Sequence, residues 1–129
     1  MILLDENFPD QQRQLLLRAR WAVRQVGFEW GRKGIPDDEI IHALRRARRT
    51  TFFTADSDFW QRTYCHADYC LAYLDVPRAE LAKYTVRFLR HPAFRTFVQR
   101  QGRIVRLQPT GIVSWLRHAS RETHLPWQQ

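Results

Sequence analysis

The chain opens on an unbroken apolar run, MILL, that passes straight into the polar letters DEN. A short run without alternation predicts a strand buried on both faces of a sheet. Pro9 and Asp10 then suit the first turn of a helix, and Leu15, Leu16, Ala19, Ala22, Val23 and Val26 recur at helical spacing until Gly27 stops them. Residues 28–30, FEW, predict a second short strand and GRKG a loop. Asp37 reads as the N-cap of a helix whose apolar side carries Ile40, Ile41, Leu44 and Ala47. Residues 51–54 and 69–76 predict two further strands, with a short helix over 57–64 between them. Pro77 starts a helix to Arg90 with Leu81, Tyr84, Thr85, Phe88 and Leu89 on one side; His91-Pro92 breaks it, and residues 93–101 add a further helical turn or two. RIVRLQ and GIVSWLR, joined through PTG, predict a hairpin, and residues 118–129 a loose tail. Strands alternating with helices predict an α/β domain, three layers around a mainly parallel sheet.

Two of these strands end in acids: Asp5 and Glu6 follow the first, Asp56 and Asp58 follow the strand over 51–54. In parallel sheets, function gathers at the carboxyl ends of the strands. If the two strands are neighbours, their acids converge, and the helix start at Asp37 and Asp38 closes the cluster. Two like charges about 4 Å apart repel by roughly 4 kcal/mol at an effective dielectric of 20, so such a cluster needs a reason. A magnesium or manganese ion supplies one, and phosphodiester hydrolysis is the chemistry it suits. The alternative is that Asp5 and Asp56 cap turns while Asp37 caps its helix.

MILLDENFP and GIPDDEIIHALRRARRTTFFTADSDF together resemble the PIN-like domain family, small relatives of the PIN ribonucleases that include VapC-type toxins. The family pattern has a strand ending in L-L-D-E-N, a D-x-E-I helix start and a strand ending in T-x-D-x-D-F. The likeness covers the first 60 residues closely and residues 69–116 more loosely. It implies a three-layer α/β/α PIN-like domain over residues 1–117 followed by a tail, and a metal-dependent endoribonuclease using Mg2+ or Mn2+. Asp5, Asp37, Asp56 and Asp58 fall on its acidic positions. Glu6 and Asn7 fall within the first motif, and Asp38 on the variable letter of the second, from which it would face the metal if Asp37 is spent as a cap. RNA is then the substrate, and an antitoxin protein the partner if the chain is the toxin of such a pair. A non-catalytic module that keeps the fold and binds nucleic acid or a protein is the alternative.

Charge adds to this picture. The net charge is +8, all basic residues but Lys33 and Lys83 are arginine, and nearly all of the excess lies beyond residue 60. Guanidinium forks match phosphate oxygens, so Arg45 and Arg46 at the end of the second helix, with Arg103 and Arg106 in the hairpin, are candidate RNA contacts. A solvated helix end and an arginine-rich genome are the competing readings.

The remaining letters argue against other chemistry. Cys65 and Cys70 imply no disulfide framework, and no apolar run is long enough to span a membrane, so a cytoplasmic protein is expected, with a homodimer left open. Cys65, His66 and Cys70 have no second Cys or His pair at structural-zinc spacing, and the two cysteines read as buried thiols. The motif of haloacid-dehalogenase phosphatases is similar after Asp56 but wants a Thr where Phe59 and Trp60 stand. A phosphoryl receiver needs a lysine late in the sheet, and Lys83 falls in a helix. Trp21 and Trp115 read as core, whereas Trp30, Trp60 and Trp127 could stack on bases. His42, His91, His118 and His124 are scattered.

Overall fold

In the computed structural model, which describes residues 1–128, the opening apolar run becomes β1 (Ile2–Leu4), with a parallel neighbour on each side. These are β2 (Val23–Gln25) and β3 (Thr50–Thr54). β4 (Tyr69–Leu74) and β5 (Arg103–Gln108) continue the parallel set, and β6 (Gly111–Leu116) and β7 (Thr123–Leu125) run antiparallel. The order across the sheet is β2-β1-β3-β4-β5-β6-β7. Helices α1 (Asp10–Arg18), α2 (Asp37–Ala47), α3 (Leu81–Arg90) and α4 (Phe97–Arg100) complete the fold.

Alternation along the strands divides the core in two. Leu4, Phe53, Ala72 and Val105 pack with Leu16 of α1 and Leu81, Phe88 and Leu89 of α3. Their neighbours Leu3, Phe52, Leu71 and Ile104 pack on the other face with Ile40 and Leu44 of α2. Both faces of the sheet are covered, which is why these strands are apolar without a break. Among the described residues no helix is long and apolar enough to cross a membrane.

Four expectations are corrected. The helix expected to reach Val26 ends at Arg18: Trp21 N–H bonds to Leu16 O at 3.0 Å and Arg20 takes φ 67°, turning the chain so that Val23 and Gln25 enter β2. Residues 28 and 29 then form a turn rather than a strand, closed by a bridge between Val26 and Trp30. The helix expected over 57–64 is two single turns of 3-10 helix, Ser57–Phe59 and Arg62–Tyr64. Finally, the expected tail returns to the sheet. β7 pairs with β6, and Trp127 donates to Gln108 O at 2.6 Å while lying 5.4 Å from the Tyr84 ring.

Candidate metal centre

β1 and β3 are neighbours in register Leu4 to Phe53, and Asp5 N–H continues the ladder to Phe53 O at 2.9 Å. The residues that follow the two strands therefore leave the sheet side by side. Ile40 and Leu44 seat α2 on the same face, placing its first residue, Asp37, at this edge. Asp37 is not the N-cap: Pro36 occupies that position in extended conformation, leaving the Asp37 carboxylate free. Asp56 Oδ1 accepts the Asp58 N–H at 2.9 Å, a turn that folds the second carboxylate back toward the first. Asp37, Asp56 and Asp58 each offer a ligand atom within 4.8 Å of the other two. None of the ion pairs among the described residues involves any of them.

Asp5 lies behind this group rather than in it. It is only 8 % exposed, with Oδ2 accepting the Thr54 hydroxyl at 2.7 Å and Oδ1 accepting Glu6 N–H at 2.7 Å. Burial pushes its carboxyl above the ordinary value, these two hydrogen bonds pull it back, and the charges of Asp56 and Glu6 push it up again. Burial also raises Asp37, followed by the charges of Asp56, Asp5, Asp58 and Asp38. Five aspartates thus share one electrostatic neighbourhood, with Asp5 buried and the others turned toward solvent.

The other motif residues separate. Glu6 Oε1 accepts Gly34 N–H at 2.7 Å, with Gly34 at φ +75°, and so holds the loop leading into α2. Asn7 is exposed. Asp38 lines a surface groove with Arg32, Glu39, His42 and Arg46, apart from the three clustered acids.

The four arginines do not form one patch. Arg45 and Arg46 are exposed at the far end of α2, roughly 12 Å of helix axis beyond Asp37. Arg103 starts β5 at the opposite edge of the sheet, bonded to Gln99 O and Ser114 Oγ. Arg106 lies toward the carboxyl end of β5, where Nη2 and Nε meet Asp75 Oδ2 at 2.7 and 3.0 Å. It stands 5.8 Å from the ring of Tyr73, the β4 residue paired with Thr54. Burial and then the Asp75 charge raise the Tyr73 phenol, and Asp56 adds to the effect.

Thr54, Tyr73 and Asp75 were not among the expected site residues. Alternation from Asp56 back to Thr54 is the signal that places Thr54 on the site's face. Cys70 is wholly buried, as expected, and burial pushes its thiol up to about 12, whereas Cys65 is only half-buried, with Sγ bonded to Gly102 O at 3.2 Å.

No protein-family model, curated protein or solved structure matches the chain.

Proposed function

We propose that the chain is a PIN-like, divalent-metal-dependent endoribonuclease. The observation that carries this reading is the convergence of Asp37, Asp56 and Asp58 at the carboxyl edge, within 4.8 Å and with no ion pair to any of them among the described residues. The donor set suits Mg2+ or Mn2+: all three groups are hard carboxylate oxygens, and the exposure of Asp56 and Asp58 leaves room for water and phosphate oxygens. When bound, such an ion polarises a phosphate and makes a water nucleophilic near neutral pH.

The chain's own residues hold that arrangement. Asp37 sits at the positive end of the α2 dipole, which favours its ionised form against the surrounding acids. Asp5 fixes the Thr54 hydroxyl, which in turn accepts Asp56 N–H at 3.0 Å and orients the turn bearing Asp56 and Asp58. Asp75 holds the Arg106 guanidinium on the same edge, where it is available to an RNA phosphate. A protein partner placing an arginine or lysine among the three carboxylates would inhibit by competing with the ion, as the antitoxin of a toxin pair would.

Manganese titration followed by cleavage of single-stranded RNA tests the proposal. Cleavage that rises with metal and is lost in Asp56→Asn supports it. Binding of RNA without cleavage across several divalent metals replaces it with the non-catalytic module.

A further inference from the structure

The loop that carries Asp56 and Asp58 does not end with them. Two residues on, Trp60 closes the first 3-10 turn with its N–H on Ser57 O at 2.9 Å, and Arg62 begins the second. Trp60 and Arg62 form one side of a cavity of about 150 Å³ whose other walls are Ile104 of β5, Trp115 of β6 and Glu122 before β7. Ile104 and Trp115 are partners in the β5–β6 register, so the floor belongs to the same side of the sheet on which α2 packs. The Arg62 guanidinium stacks on Trp115 with 3.7 Å between its carbon and the ring centroid, and Glu122 Oε1 lies 3.7 Å from Arg62 Nη2.

We propose that this cavity takes one unstacked base of a single-stranded RNA. Its size suits one ring system: a cavity of about 150 Å³ admits benzene when lined by apolar groups. Its walls are the two kinds of surface on which splayed-out bases stack, an indole and a guanidinium plane, and the guanidinium is already flattened against Trp115. Glu122 and Arg62 bring an acceptor and donors to the rim, where a base edge could pair with them. Two extended residues span at most about 7 Å, so Trp60 lies within reach of a nucleotide whose phosphate is near Asp58. A double helix, with its bases stacked inside, would not deliver a ring here. The choice of RNA as ligand rests on the reading of the acids as a nuclease centre, but the cavity can be tested without cleavage.

The experiment is an NMR titration in EDTA, with the indole N–H signals assigned by single Trp→Phe variants, and an RNA tetranucleotide, adenosine monophosphate and uridine monophosphate as probes. The expected result is that the tetranucleotide shifts Trp60 and Trp115 while leaving Trp21 and Trp30 in place, and binds more tightly than either mononucleotide. Arg62→Gln, which keeps the length of an exposed side chain while removing its charge, weakens the tetranucleotide about tenfold, as does Trp60→Leu. Tetranucleotide binding that leaves the Trp60 and Trp115 signals unmoved overturns the proposal, and so does unchanged affinity in Arg62→Gln. Mononucleotides binding as tightly as the tetranucleotide overturn it in favour of a free-nucleotide site. A protein that shows the expected shifts but cleaves nothing upholds the base site and removes the nuclease reading. Cleavage with unmoved indoles does the reverse.

Discussion

The hydroxyl of Thr54 donates to Asp5 Oδ2 at 2.7 Å while its oxygen accepts Asp56 N–H at 3.0 Å, so one side chain ties the buried acid to the exposed ones. Thr54 is itself fully buried, and water cannot replace it there without a cavity. Thr54→Val, nearly the same shape, is expected to cost about 1–3 kcal/mol, because a largely buried carboxylate oxygen and a backbone N–H lose their partner together. Thr54→Ser should recover most of it. Urea unfolding in EDTA measures both, and a Val variant as stable as the parent would mean that the bond does not organise the edge.

Removing charge from the outward acids should separate stability from activity. Asp56→Asn keeps the Oδ1 that accepts Asp58 N–H, and Asp37→Asn leaves a residue with no side-chain capping bond to lose. Each is expected to lower metal-dependent cleavage by more than the roughly 10–100-fold that loss of an outer partner of a metal ligand costs. The metal-free stability of each should stay level or rise, by no more than about 1 kcal/mol for groups this exposed. Manganese isotherms and thermal melts in EDTA give the two readouts.

The raised carboxyls of Asp5 and Asp37 predict a pH dependence of known sign. Both groups hold a proton more tightly in the folded chain than in the unfolded one, where the ordinary value is 3.8. Between that value and the raised folded values the folded state binds the extra proton, so their contribution to stability falls as pH rises through the window and is level above it. Asp37→Asn should therefore gain on the parent protein as pH rises from 3.8 through the raised folded value, and hold that gain at neutrality. Parallel urea curves across that range would show the difference, and a constant offset would contradict it.

RNA affinity in EDTA should fall steeply with salt through release of counterions. Of the four arginines expected to contact RNA, Arg106 alone stands at the carboxyl edge near the acids, so Arg106→Gln should reduce the slope of log K against log salt by about one. Arg103→Gln, at the other edge, should change it less. Replacing both gives the sum, and filter binding at several salt concentrations measures each.

The parallel core was readable from uninterrupted apolar runs such as residues 1–4 and 51–54, since only strands covered on both faces dispense with polar alternation. The boundary between α1 and β2 was not. Val23 and Val26 extend the three-and-four spacing of Leu16 and Ala19, while Val23 and Gln25 equally obey the two-residue period that the fold uses. What decides is the left-handed turn at Arg20, a residue without the usual preference for that conformation. For the site, the letters located the acids at strand ends but did not distinguish Asp5 from Asp56. That difference arises from Thr54, forty-nine positions from Asp5, and such a partner becomes visible only with the strand order. The last strand leaves no signature in the sequence because exposed Thr123 and His124 carry no apolar period, and Trp127 fixes its position through packing on Tyr84.

The place of β1 between β2 and β3 has a consequence for how the chain is made. Ile2–Leu4 is synthesised before either of its neighbours, the second of them ending at Thr54. Parallel pairing over such a separation closes a long loop before it is rewarded, so the strand waits unpaired while dozens of residues are added. The carboxylates of Asp5, Asp37, Asp56 and Asp58 can meet only when that wait is over. A nascent fragment cut short before β3 therefore carries part of the acid set without the scaffold that assembles it, and any activity is withheld from the polypeptide until β3 has joined β1.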